Sequence, residues 1–316
     1  MSADIFSKKD SIEAKFLKSA LVHNRAATLT KVRMLTTFRA LAKFAKAGRW
    51  GTIDPYNLTA KQLRKYTLAR IEQDVCVRSV QNETSHIRRA LRGVGRSEFA
   101  QKICSNKALG VPPASRIGTG KVVDPIVFQS ALLTAPADTH ALIELSRWLG
   151  LRIREAILSA NSLREWDRSL SAGQPILVRY GSKGGRVRSV PIRPEGIEPA
   201  QDAVKTALAV VKKQKWLVVS KNLKSAIKQH SYRLERVGLH GENSCHSLRR
   251  AFAMDQYRYY LQEGNDQKTA LARTSNDLGH GDKRGRWVYN NYLRCSLESG
   301  NPPEKEADLK VEFSLT

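Results

Sequence analysis

The sequence predicts a mainly α protein with a small β-hairpin or sheet, divided into two domains. Three observations carry this prediction. Apolar residues recur at helical spacing through most of the 316 residues. Residues 176–192 switch to a strand period around a glycine-bearing turn. Residues 109–121, LGVPPASRIGTGK, concentrate Pro, Gly and Ser as a linker does.

The elements follow in order. Segments 11–22 and 28–47 place Phe16, Leu17, Leu21, Val32, Leu35, Phe38, Leu41 and Phe44 at helical intervals. Gly48 and the run Gly51 to Pro55 end them. Thr59 reads as the N-cap of a helix carrying Leu63, Tyr66, Leu68 and Ile71. Another helix follows Ser79, with Ile87 and Leu91 inward and His86, Arg88, Arg89 and Arg92 largely outward. These short helices form a bundle over residues 1–112, and 113–121 is the linker. Asp124-Pro125, a cap followed by proline at the first helical position, opens a second domain over 122–295. A helix over 138–149 comes next, then strands ILVRY and RVRSVPI joined by GSKGG. Helices resume near Glu198 and are expected at 222–237, 245–263, 265–278 and 286–295. Residues 296–316 form a locally acidic tail ending VEFSLT.

Charge narrows the class. There are 54 Lys and Arg against 29 Asp and Glu, a net charge of +25. Residues 1–113 carry a net +14 and residues 114–316 a net +11, so the excess is not a basic tail on a neutral domain. Such a field attracts a polyanion through counterion release, and nucleic acid is the favoured partner over an anionic membrane surface. Cys76, Cys104, Cys245 and Cys295 form no CxxC pair, which points away from a disulfide framework or a zinc site. No window has the length of a membrane span, and MSADIFSKKD lacks the apolar core of a signal peptide. The expected compartment is a reducing cytoplasm, at the nucleoid.

Four short pieces of the second half carry chemistry. They are LGLRIREA at 149–156, GSKGGRVRSVPI at 181–192, HSLRR at 246–250, and LGH at 278–280 followed by WVYNNYL at 287–293. Singly, each has an ordinary explanation: a surface arginine, a solvated turn lysine, a capping histidine, packed tyrosines. In this order and spacing they resemble the tyrosine recombinase, or phage integrase, family. Gly150-Leu151-Arg152 with Glu155 matches its first arginine box, and Lys183 sits on the hairpin turn. His246 and Arg249 match H-x-L-R, and Leu278-Gly279-His280 the third box. The resemblance covers about residues 120–295, an α+β catalytic domain. Residues 57–70 and 79–92 resemble helices of the family's core-binding domain.

The resemblance implies DNA cleavage and rejoining through a 3'-phosphotyrosyl bond, with no metal, ATP or other cofactor. Arg152 and Arg249 would hold the phosphate, because a guanidinium is planar, permanently charged and able to donate in pairs to oxygens. Lys183 would protonate the leaving 5'-oxygen. His246 and His280 would lie beside the phosphate or handle the tyrosine proton. Glu155 would hold the site's geometry. The family's common spacing of nine residues after the third-box histidine gives Tyr289 as nucleophile. The long, glycine-interrupted turn after His280 allows a slide to Tyr292, three residues on and on the same helical face.

Arg88, Arg89, Arg92 and Arg96 of the first domain are expected phosphate contacts, and so are Arg186 and Arg188 beside the hairpin. Such contacts position a duplex without reading it. The two domains would close around double-stranded DNA with the linker as hinge. A homotetramer on DNA is expected, with accessory DNA-bending or directionality factors possible, and with no membrane partner. The alternatives are a type IB topoisomerase-like relaxing enzyme and a catalytically silent DNA-binding protein of the same fold.

Overall fold

The computed structural model describes residues 5–7, 9–23, 25–115, 117–118 and 120–299, apart from the side chains of Lys183 and Ser299. The expected tail segment 300–316 and the Lys183 side chain therefore lie outside the described residues. The chain forms two compact units, Met1–Ser115 and Arg116–Thr316.

The first unit is helical: α1 (Ile12–Ala20), α2 (Thr28–Ala47), α3 (Ala60–Glu72) and α4 (Val77–Gly93), then a π-helical turn over Phe99–Ile103. Thr59 caps α3 reciprocally with Gln62, satisfying two backbone donors at once. Phe16, Phe38, Leu41, Leu63, Tyr66, Ile87 and Leu91 close the core. Val32 and Leu68, which fall at helical spacing in the sequence, are exposed.

The basic face of α4 also differs from expectation. Arg88 is half-buried and donates to the Cys104 carbonyl at 3.1 Å and to Asn106 Oδ1 at 2.8 Å. Arg89 donates to the Ala20 carbonyl at 2.7 Å, and Arg96 to the Pro55 and Leu58 carbonyls, both at 2.9 Å. His86 meets Thr37 Oγ1 at 2.9 Å. The physical reason is that helix ends and loops leave carbonyls unpaired, and an arginine stem can cross apolar surface to reach them. Of Arg88, Arg89 and Arg92, only Arg92 is exposed.

The second unit contains α5 (Pro125–Thr134), α6 (Ala137–Trp148), α7 (Ile153–Ile157), α8 (Leu163–Ser171), β1 (Ile176–Val178) and β2 (Arg188–Val190). Then come α9 (Pro194–Gln214), α10 (Leu223–Arg236), α11 (Cys245–Gln262), α12 (Gln267–Asp277) and α13 (Gly285–Val288). A π-helical turn over Tyr289–Leu293 leads into α14 (Arg294–Ser299). Asp124 caps α5, accepting from the Ile126 and Val127 amides, with Pro125 at the first turn. The strands pair antiparallel, with Ile176 opposite Val190 and Val178 opposite Arg188. Leu142, Leu145, Trp166, Ile176, Val190, Val204 and Phe252 bring α6, α8, α9, α11 and the hairpin onto one core. Helices α7 and α8 were not anticipated, since five residues, or nine with three apolar anchors, give little periodicity. Among the described residues no helix is long and apolar enough to cross a membrane.

Candidate active site

The site is built on backbone ends. Arg152 is the N-cap residue of α7, and Glu155 sits three residues inside it. Glu155 Oε2 accepts the Arg152 amide at 2.9 Å, and Oε1 accepts Arg152 Nη1 at 2.6 Å. The same carboxylate takes Arg188 Nη2 at 2.8 Å and has Arg249 Nη1 at 3.7 Å. One fully buried carboxylate thus serves three guanidinium groups. Burial alone would push its pKa up, but Arg188, Arg249 and Arg152 outweigh that and hold it at about 2.

Three carbonyls complete the cage. Leu278 O, just past the end of α12, accepts Arg152 Nη2 at 3.0 Å and Arg249 Nη2 at 2.5 Å. Asp277 O accepts Arg188 Nη1, and Gly150 O accepts both Arg249 Nη1 and Arg188 Nη2. A helix C-terminus carries partial negative charge, so the end of α12 is a favourable seat for cations. Arg249 is fully buried, and that burial lowers its pKa to about 10.

Gly150 has φ +59, a conformation that costs other residues, and a Cβ there would lie 2.3 Å from Phe252 Cδ1. Gly150→Val is expected to destabilise the second unit by about 2–4 kcal/mol through left-handed strain and overpacking. Urea unfolding checks this, and a loss below about 1 kcal/mol would show that the turn relaxes freely.

Tyr292, rather than Tyr289, meets the arginines. It is 2% exposed, and its hydroxyl lies 3.4 Å from Arg249 Nε and 3.4 Å from His280 Nε2. The His246 ring centroid is 5.1 Å from the Tyr292 ring. Tyr289 is half-buried against the core, close enough to Tyr257 to raise the pKa of that residue alongside burial. Spacing put Tyr289 first; the hydroxyl that lies beside Arg249 and His280 is that of Tyr292. The shared face also fails: residues three apart align at 3.6 residues per turn, but Tyr289–Leu293 is a wider i→i+5 turn that rotates them apart.

The histidines are neutral in this environment. Burial, then Arg249, Arg152 and Arg188, lowers His280 to about 3. His246 keeps part of its ring open to solvent. Surrounding protein, then Arg250, Arg249 and Arg152, still lowers it to about 4. His280 Nε2 faces Arg152 Nη2 at 3.4 Å. Because guanidinium only donates, that nitrogen presents its one lone pair, which faces both Arg152 and the Tyr292 hydroxyl. Trp287 packs against both His280 and Tyr292, with ring centroids 4.5 and 5.8 Å away.

Arg152 borders two clefts. One, of about 370 Å³, is lined by Ser182, Arg186, Arg188 and His280. The other, of about 620 Å³, is lined by Leu151, Ser231, Leu234, His240 and His246. The Lys183 backbone opens the turn between β1 and β2. Arg186 is exposed, as a DNA contact requires. Arg188 is 7% exposed and engaged inward, which corrects its expected role as a phosphate contact. Its place opposite Val178 in the ladder puts its side chain on the core face.

Sequence reasoning also missed Asp277. It is buried and accepts from Tyr260 Oη at 2.8 Å and Gln256 Nε2 at 3.0 Å, with burial pushing its pKa up to about 6. The available signal was an acidic residue immediately before Leu278-Gly279-His280. Among the described residues, no three His, Cys, Asp or Glu side chains are grouped so as to hold a metal.

The chain is similar to known proteins in part of its sequence and in its fold. The family model described as Integrase matches residues 110–255. No curated protein matches the chain. Among solved structures, the Tn1549 transposon integrase in complex with transposon right end DNA is similar at TM-score 0.54 and 13% identity, covering 92% of this chain and 98% of that one. A lambda integrase tetramer bound to a Holliday junction gives 0.52 at 16% identity, covering 89% and 79%. The XerH site-specific recombinase bound to difH gives 0.52 at 19% identity, covering 86% and 79%. Residues 110–255 thus match the integrase family model, and the chain has the fold of these DNA-bound integrases and this recombinase.

Proposed function

We propose that this chain is a site-specific DNA recombinase that cuts and rejoins duplex DNA through Tyr292, without a metal ion or ATP. The observation that carries the reading is the Tyr292 hydroxyl lying between Arg249 Nε and His280 Nε2. Arg249 donates to the phenolic oxygen and favours its anionic form. His280 offers the lone pair that takes the proton.

The Tyr292 oxygen attacks phosphorus while the bond to the 5'-oxygen breaks. The new bond is a 3'-phosphotyrosine, and the leaving oxygen takes a proton from Lys183. Arg152, with its face open to both clefts, and Arg249 stabilise the charge that gathers on the phosphate oxygens, as fixed donors do in an oxyanion hole. Rejoining reverses the step, so the phosphotyrosyl bond conserves the energy of the broken one. Tyr292 is buried before DNA binds, so the Tyr289–Leu293 turn has to move to let a phosphate in. A π-helical turn, common at functional sites, supplies that slack. Strand exchange joins two duplexes by paired cuts. The tetrameric state of lambda integrase on a Holliday junction supports a tetramer on DNA here.

The test is covalent capture. Nicked duplexes drawn from a random-sequence pool, incubated with the protein in EDTA, should yield an adduct whose modified peptide contains residues 289–293. A strict metal requirement, or an adduct on another residue type, would overturn the reading. A pH prediction accompanies it. His280 and His246 titrate near 3 and 4 in the free protein, so both are neutral above that range. The acid limb of kcat/KM for adduct formation, which reports the free enzyme, is expected below pH 5. An acid limb near 6.5 would show that these histidines do not sit in the environment described.

A further inference from the structure

We propose that Arg188 is a positioning residue: it fastens the β1–β2 hairpin, and with it the Lys183 turn, to the carboxylate shared by Arg152 and Arg249. The inference rests on the proposed acid role of Lys183 and adds the element that holds that lysine's turn in place.

The geometry is specific. Arg188 is the first residue of β2, where the chain re-enters the ladder after the Lys183–Gly185 turn. Its side chain leaves the hairpin and reaches Glu155 Oε2 at 2.8 Å, Gly150 O at 3.2 Å and Asp277 O. One guanidinium therefore joins the hairpin to the start of α7, the turn before it and the end of α12. Gly279 keeps the path open: a Cβ there would sit 2.7 Å from Arg188 Cδ. At the other end of β2, Gln256 Nε2 donates to Pro191 O and to the Asp277 carboxylate, both at 3.0 Å, so the strand is tied at both ends to the same helix terminus.

Stability alone is a poor explanation for this arrangement. A buried ion pair is often no better than an apolar pair of the same volume, and what it adds is a defined geometry. Arg188 Nε is moreover buried without a partner among the described residues. An unsatisfied donor of that kind in a native interior calls for a functional account. The turn meets α7 at its first glycine, where a Cβ at Gly181 would lie 2.7 Å from Arg154 O, but its later glycines are open. Gly184 and Gly185 both take positive φ, with nothing within 4 Å of where a Cβ would lie.

The experiment uses duplexes selected by covalent capture on the unsubstituted protein, made with either an oxygen or a sulfur at the 5'-bridging position of the scissile phosphate. A 5'-thiolate leaves without a proton, so sulfur removes the need for an acid. Arg188→Met is expected to cut the cleavage rate on the oxygen duplex by about 100-fold, the lower range for losing a general acid. On the sulfur duplex the loss should shrink to within about tenfold. Arg188→Lys, which keeps the charge with fewer donors, should fall between and show the same recovery. Arg249→Ala should lose rate on both duplexes.

Equal losses on oxygen and sulfur for the Arg188 variants would overturn the inference, placing Arg188 with the phosphate-holding arginines. Failure of both Arg188 variants to fold would also overturn it, leaving a residue of the fold only. Lys183→Ala separates this from the underlying reading: if sulfur does not restore that variant, the acid assignment itself is wrong.

Discussion

Tyr292→Phe is expected to abolish the covalent protein–DNA adduct, lowering its rate by at least about 10⁴-fold, as when a covalent nucleophile is removed. Tyr289→Phe should stay within about tenfold of the unsubstituted protein. The variants differ by one oxygen each, so they separate the two tyrosines cleanly. Tyr292 Oη is the atom within 3.4 Å of Arg249 Nε and His280 Nε2, and it exchanges those contacts for phosphorus during attack. Tyr289, half-buried beside Tyr257, can lose its hydroxyl without touching either group. Both variants should bind duplex as the parent does, because neither changes a charge. Denaturing gels of nicked-duplex reactions give the readout. An adduct persisting in Tyr292→Phe and absent in Tyr289→Phe would restore the order that spacing suggests.

The second large effect concerns Glu155, whose carboxylate is 0% exposed and neutralises Arg188, Arg152 and Arg249 together. Glu155→Gln keeps the shape and removes the charge, leaving buried guanidinium groups uncompensated. Breaking one side of a buried pair costs about 3–5 kcal/mol, so a fall in Tm of roughly 10 °C is expected for a unit of this size. The pH dependence has a definite sign. The folded pKa of about 2 is depressed below an ordinary glutamate value of about 4.3. The stability Glu155 contributes is therefore complete above that ordinary value and is lost as pH falls through it toward 2. The difference corresponds to about 3 kcal/mol, by linkage. Urea titrations of the two proteins at pH 7, 4 and 3 should converge as the pH falls. A constant gap across that range would show that Glu155 is not the ionised partner of these arginines.

Much of the site was legible because its chemistry is local in sequence. Arg152 and Glu155 are three apart at a helix start, His246 and Arg249 three apart on α11, and each spacing carries its own geometric meaning. The helix starts at Thr59 and Asp124 were legible for the same reason, since a cap is a local bond. What was not legible depends on long-range pairing. Arg188 and Arg186 look alike in RVRSV, and only the fold decides that Arg188 enters the ladder facing the core while Arg186, before β2 begins, stays exposed. Arg88, Arg89 and Arg96 look like a solvated basic face until the 99–106 segment, α1 and the 55–58 turn bring carbonyls to them. The two tyrosines could not be ordered because the turn holding them departs from the α-helical period on which the counting relied.

The acceptors that fix Arg152, Arg188 and Arg249 include three main-chain oxygens, those of Gly150, Asp277 and Leu278. A main-chain oxygen is present whatever side chain the position carries. Positions 277 and 278 can therefore change without deleting an acceptor of the three arginines, although a change at 277 removes the carboxylate that holds Gln256 and Tyr260. Such a site is inherited through the path of the backbone more than through the spelling of the sequence. That is a physical route by which the arrangement around Arg152, Arg188 and Arg249 can outlast change in the residues that frame it.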